Sequence, residues 1–363
     1  MSVKRYLRQN KNSWISALLL VVLIKLFSLN KDWVETLYTS KFYFYISKFL
    51  RFLFGWIPFS FGDILYLIAG CWLLWKLILL VKLSLQKKLT RKLVLIKYLK
   101  LVLDFAFVYI IFNIFWGINY NRKGIANQLS LTNLRYDTTD LLTLQHLLLQ
   151  KVNASKSVLI RTREAYPSKN ELFKKAKDSY ASAQRIYPFL QLENLSVKSS
   201  LYGKLGDYLG FTGYYNPFTG EAQVNTTVPK FLQPYITTHE IAHQLGYAKE
   251  NEANFVGYLA AINSRDTVFH YSAYFDLFLY ANREVYYFDS VLSRKSLELL
   301  NPDSKKDIRE LQQFNLDHRS FVEPLITWIY GKYLKLNQQP QGMRSYNAVV
   351  AMMIAYYKKY GKI

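Results

Sequence analysis

Residues 237–247 read Thr-Thr-His-Glu-Ile-Ala-His-Gln-Leu-Gly-Tyr, and in this 363-residue chain they hold the spacing that most directly implies chemistry. On a helix, positions four apart share a face, so His239 and His243 can reach one Zn²⁺ while Glu240, one position on, addresses a metal-bound water. The pattern uses two of only five histidines. Its ordinary alternative is an amphipathic helix whose imidazoles pack or face solvent.

A zinc site with an open position needs a third protein ligand, and Glu250 and Glu252 compete for it. After Gly246, a helix stop, residues 249–262 read as a second helix with Asn251 as a possible N-cap. Glu252 leads the stripe Phe255, Val256, Leu259, Ile262, the spacing of a buried face, whereas Glu250 heads the smaller, more polar face of Ala253, Asn254 and Gly257. A carboxylate at the head of an apolar stripe is costly unless a charge meets it. This phase argument selects Glu252 as the ligand and leaves Glu250 solvated or supporting the site. The other reading of Glu252 is a carboxylate favoured by the helix dipole.

With Zn²⁺ held by His239, His243 and Glu252, the expected chemistry is metal-assisted amide hydrolysis. The metal lowers the pKa of its water and polarises the scissile carbonyl, and Glu240 takes the proton and passes it to the leaving amine. A donor for the developing oxyanion is also expected. His270, Tyr271, Tyr274 and Tyr346 compete for that role; Tyr271 and Tyr274 are carried forward as catalytic candidates, although among 30 tyrosines packing is the commoner use of any one.

His-Glu-x-x-His followed, after a short Gly-containing turn, by Glu-x-Glu-Ala-Asn-Phe resembles the gluzincin type of zinc metallopeptidase. More narrowly, the layout resembles a bacterial family of unknown function with membrane-spanning helices ahead of a gluzincin-like domain. That likeness includes residues 210–225 (GFTGYYNPFTGEAQVN) and 271–274 (YSAY). It implies a strand ahead of the metal helix that offers an edge to an extended peptide substrate.

Composition supplies the setting. Hydrophobic residues make up 51% and aromatics 17%, unusual for a wholly soluble chain. The net charge of +22 raises nucleic acid as a partner, but residues 1–120 carry 17 Lys/Arg against 4 Asp/Glu, and much of that surplus flanks apolar runs. The pattern indicates membrane topology and anionic-lipid contact, and no nucleic-acid partner is expected. The lone cysteine, Cys71, excludes an intrachain disulfide and reads as apolar filler.

Three membrane spans are expected, over 14–33, 64–81 and 101–116, with residues 41–56 as an interfacial helix bearing Lys41, Lys48 and Arg51 on one side. No cleavage site follows the first run, which argues against a signal peptide. The N-terminal tail and residues 82–100 hold eleven basic residues against four in residues 31–61. The positive-inside rule then puts the N-terminus in the cytoplasm of a bacterial inner membrane, multi-pass, with everything past residue 120 extracytoplasmic. Lys76 and Asp104, near the same end of their spans, are expected to pair.

Past residue 120 the chain turns polar. Helices are expected over 138–152, 171–186, 271–287, 303–336 with a break at Pro324, and 344–360; strands over 196–202 and 220–228, with loop at 203–220. The fold class is α+β, mostly helical: a membrane region, 1–120, then a zincin-like domain with a small sheet, 121–363. The partners expected are the lipid bilayer and a peptide or envelope-protein substrate. A zinc hydrolase of a non-peptide envelope substrate, and a zincin-like sensor or scaffold without turnover, remain alternatives. An intramembrane protease is disfavoured because Gln233, Pro234 and Gln244 flank the motif and no spanning run surrounds it.

Overall fold

The computed structural model describes residues 2–131, 134–191, 193–340, 342 and 348–363; the chain is mostly helical with one three-stranded sheet. The first helix, α1 (Val3–Gln9), leads into α2 (Lys11–Leu29). Asn30 ends α2, and its side-chain oxygen accepts the N–H groups of Asp32 and Trp33 to start α3 (Lys31–Trp33). A ten-residue π-helix, Val34–Tyr43, runs on into α4 (Phe44–Phe54). Ser60 then caps α5 (Phe61–Leu85), and Thr90 caps α6 (Arg91–Phe115).

Two of these helices, α2 and α5, are long and apolar enough to cross a membrane. They are covered differently. Ala17 and Ile24 of α2 pack with Leu103 and Ile110 of α6, whereas along α5 only Gly62 and Asp63, in its first turn, are buried. The helix expected over 101–116 begins ten residues earlier, so the basic residues from Arg91 to Lys100 lie on α6 and not in a loop. Lys and Arg are good helix formers, and charge alone does not end a helix. Because α5 does not pack on α6, the expected Lys76–Asp104 pair is not formed among the described residues: the Lys76 ammonium sits 5.1 Å and 5.3 Å from the rings of Trp72 and Trp75.

Residues 41–56 differ from expectation in Arg51 alone, which is buried and not on an open basic side. One side of the helix packs on the rest of the chain through Tyr43 and Arg51, while Tyr45, Phe49, Phe52 and Trp56 are left exposed. The Tyr43 hydroxyl donates to the carbonyl of Gln244 at 2.8 Å, and Arg51 Nε to that of Glu193 at 3.3 Å. An aromatic-rich helix with lysines reads alike whether its apolar face meets lipid or protein.

After a 3₁₀ turn at Gly117–Asn121 come α7 (Gly124–Gln128) and α8 (Thr138–Thr162), the latter opened by an Asp137/Asp140 capping box and ten residues longer than its sequence pattern suggested. Next is α9 (Lys169–Ala183), with its own Ser168/Glu171 box. The sheet follows as β1 (Val197–Ser199), α10 (Gly203–Leu209), β2 (Gly213–Asn216) and β3 (Glu221–Val224). Strand order is β1-β3-β2, with Val197 opposite Ala222 in parallel and Tyr214 opposite Gln223 in antiparallel register. So β3, expected to offer an edge, is the central strand, and α10 and β2 occupy a stretch that read as loop. The β1–β3 pairing spans about 25 residues, and the Gly- and Tyr-rich composition conceals α10 and β2.

The two motif helices are α11 (Gln233–Gln244) and α12 (Glu250–Ile262), joined through Gly246 at φ +80°. Then come α13 (Thr267–Phe288), α14 (Ser290–Glu298) and α15 (Pro302–Asp317). Pro324 sits in the first turn of α16 (Glu323–Leu336), so the expected break falls there. The last helix is α17 (Val349–Tyr360). The main core joins α8, α9, α11, α12, α13 and α17 through residues such as Leu148, Leu172, Ile241, Phe255, Phe275 and Met352.

Contacts cross position 120 freely. The Asp63 carboxylate accepts from the Leu201 N–H and the Tyr214 hydroxyl, and the buried Glu221 accepts from the Gly62 N–H at 2.7 Å. Arg122 pairs with Glu35 at 2.7 Å. Each joins the segment between α2 and α5, or the root of α5, to the residues that follow α6.

Candidate metal centre

Helix α11 begins with Pro234 in its first turn and is buried along nearly its whole length, so His239, Glu240 and His243 all lie inside. The imidazole of His243 is oriented by its backbone: Nδ1 lies 2.7 Å from the carbonyl of Tyr247 in the turn after the helix. A carbonyl only accepts, so Nδ1 carries the proton and Nε2 presents a lone pair. Trp116, at the end of α6, donates its indole N–H to the His243 carbonyl at 3.1 Å and packs edge-on against the ring.

The third group is Glu250. Its Oε2 lies 3.3 Å from His239 Nε2 and 3.7 Å from His243 Nε2, and ligand atoms of the three residues fall within 4.8 Å of one another. Bonds of 2.0–2.1 Å at tetrahedral angles separate ligand atoms by roughly 3.4 Å, so the donor types suit Zn²⁺ and the two separations from Glu250 lie near that value. Glu252, chosen by helix phase, does not join the cluster. Its Oε1 meets Lys249 Nζ at 3.4 Å, and its carboxylate presses on Gly124, where an added Cβ would lie 2.1 Å from Oε1.

The reason for this correction is packing. Helix α12 starts at Glu250, and its small-residue face is the one laid on α11: a Cβ at Gly257 would come within 2.9 Å of the backbone nitrogen of His239. Close helix contact selects the face without side chains, and that carries Glu250 to the histidines. The bulky stripe packs elsewhere, since Phe255, Val256 and Leu259 are all buried.

Two aids to Glu250 went unseen in the sequence. Tyr330 of α16 donates its hydroxyl to Oε1 at 2.8 Å, and the Gln339 side chain accepts the Glu250 N–H at 3.0 Å. Their separation from the motif, about 80 and 90 residues, hides them from local reading. Tyr333 reaches the same region through its hydroxyl contact with Tyr120 at 3.1 Å.

The proposed oxyanion donors lie elsewhere. Tyr271 donates to Asp307 at 2.5 Å beside Lys156, and Tyr274 to the Ile363 carbonyl at 3.3 Å. His270 contacts the Ser264 carbonyl, and Tyr346 lies outside the described residues. The YSAY stretch faces the core because α13 is buried on that side.

Electrostatics separate the acids by role. Burial pushes the Glu240 carboxyl up to about 7, against the pull of both imidazoles. Glu250 moves the other way: burial disfavours its charge, but contact with the His239 and His243 imidazoles, which attract it when they are protonated, outweighs this and holds it well below the carboxylate range. Burial favours neutral His243, yet contact with Glu250 raises its pKa overall. One buried carboxyl raised toward neutrality thus lies beside one held ionised. Gly213 of β2 lies against the first of these, where a Cβ would sit 2.6 Å from Glu240 Oε1. Asp276, pushed up to about 6 by burial, lies within electrostatic reach of His239.

No curated protein and no solved structure matches the chain. Residues 38–354, most of its length and all of the metal centre, match the family described as "Protein of unknown function (DUF3810)", and the chain belongs to that family.

Proposed function

We propose that this chain is a membrane-anchored zinc hydrolase of peptide bonds, with His239, His243 and Glu250 as metal ligands and Glu240 as general base. The observation that carries it is the convergence of ligand atoms of His239, His243 and Glu250 within 4.8 Å of one another, beside the buried carboxyl of Glu240. Bound there, Zn²⁺ would supply Lewis acidity and a water of lowered pKa. Glu240 takes the proton from the attacking water and returns it to the leaving amine. Tyr330 and the backbone of Tyr247 fix the orientation of Glu250 and His243. An extended peptide would add to the free side of β2, which runs past Glu240 at Gly213, and not to the doubly paired β3.

Placement in a bacterial inner membrane, with the metal centre extracytoplasmic, follows from the basic asymmetry around the apolar helices. Reporter fusions at residues 90 and 150 should then give opposite signals; matching signals would reject that orientation. One observation favours a second reading. The four site residues are no more than 8% exposed, a closure that suits a zincin-like sensor or scaffold as well as a gated enzyme. The deciding test measures zinc content with and without chelator alongside peptidase activity of wild type and Glu240→Gln. Zinc with activity lost in the variant supports hydrolysis; zinc without activity in either supports the sensor, and cleavage of a non-peptide envelope ester or amide would change the substrate class alone.

A further inference from the structure

The closed metal centre has one cover that differs from the rest. Helix α16 lays Tyr330 on Glu250 and Tyr333 on Tyr120, so its inner face is committed to the site. Its outer face is apolar where a soluble helix would be polar: Leu325, Trp328 and Ile329 are about half or more exposed, at i, i+3 and i+4. The Lys332 ammonium lies 5.5 Å from the Trp328 ring, and an open groove of about 700 Å³ runs alongside, lined by Arg319, Lys332 and Lys335, with Glu323 as its one carboxylate.

Location says what covers this face. Tyr333 packs into the cluster that joins α2, α6 and Trp116, and its partner Tyr120 lies five residues beyond the end of α6. The helix therefore sits level with the ends of the membrane-region helices, where a bilayer has its interface. An amphipathic helix with Trp and Leu outward and lysines beside them matches a helix lying in that interface, and the cations match anionic headgroups.

We propose that α16 is a lid seated on the bilayer: its outer face docks on anionic phospholipid while its inner face closes the metal centre through Tyr330. Lipid contact and access to the metal are then two faces of one helix. This rests on the membrane anchoring proposed above, and the test separates the two.

The full-length protein would be placed in nanodiscs as Cys71→Ser, with an environment-sensitive probe on Leu74→Cys (α5), Ile329→Cys (α16) or Gln312→Cys (α15), and quenched by spin-labelled lipid. Quenching at 74 and 329 but not 312, falling several-fold at 329 with phosphatidylcholine alone or with Lys332→Glu/Lys335→Glu, is the expected result. Quenching at 74 without 329 overturns the lipid contact and leaves the anchoring intact; quenching at neither overturns both. Zinc stripping by a soluble chelator should be several-fold slower in phosphatidylglycerol nanodiscs than in phosphatidylcholine. Equal rates overturn the lid. A protein that takes up no zinc defeats the metal reading, while the quenching still decides the lipid contact.

Discussion

Glu250 is gripped from two sides by helices of opposite character. Helix α12 is buried on every side and pressed onto α11 through Gly257, whereas α16 touches the site with two tyrosines and turns an apolar face outward. One wall of the metal centre is part of the core and the other is laid over it. Geometry that must be held belongs on the first, and motion that admits a ligand belongs on the second.

The largest expected effect tests which carboxylate the rigid wall supplies. Glu250→Ala should weaken zinc binding by more than about 100-fold, while Glu252→Ala costs about tenfold or less, by titration against a chromophoric chelator. The reverse order would restore the assignment by helix phase. Next, Gly257→Ala should lower stability by about 1–3 kcal/mol, because the backbone overlap at His239 exceeds the ~1 kcal/mol of helix propensity gained. Ile329→Ala on α16 should change it by no more than about 0.5 kcal/mol. Equal losses in thermal unfolding would show that the two walls are alike.

Tyr330→Phe should weaken zinc about tenfold with the melting temperature unchanged, since it removes a hydrogen bond to the ligand and leaves the packing. A large fall in melting temperature would move Tyr330 into the fixed framework. The smallest effect is in pH. Zinc requires neutral His243, whose pKa is raised, so protons compete with the metal from a higher pH and affinity should fall as the pH drops from about 7.5 to about 6.5. A flat profile would mean that His243 is not a ligand.

The metal helix was legible because its information is local: one turn of helix fixes which side chains share a face. The third ligand was not. Phase analysis assumes that the bulky stripe marks the inward side, and α12 has no outward side. The signal that would have worked is Gly257 at i+7 from Glu250, since a glycine in a helix interior costs stability unless something must come close. The same limit explains β3 and α16. The sequence resolved the alternation of the one and the break at Pro324 of the other, but whether a strand has two neighbours, or whether two tyrosines reach a glutamate about 80 residues away, depends on contacts that periodicity does not encode. Arg51 was misplaced because a guanidinium reads alike in sequence whether it meets lipid headgroups or a carbonyl of the same chain.

The ties across position 120 carry a consequence for the life of the molecule. A chain severed there would lose Trp116 and Tyr43, leaving the carbonyls of His243 and Gln244 without these donors, and would lose Asp63, stranding the Leu201 N–H. The Gln244 carbonyl, on a buried residue, loses the Tyr43 donor at a cost of about 1–3 kcal/mol, while that of His243 keeps the Gly246 N–H. The distal part severed there would therefore lose contacts that frame the candidate site. Only a chain whose leading segment has already taken its place completes the frame of the candidate site, so the order in which the two parts fold is constrained.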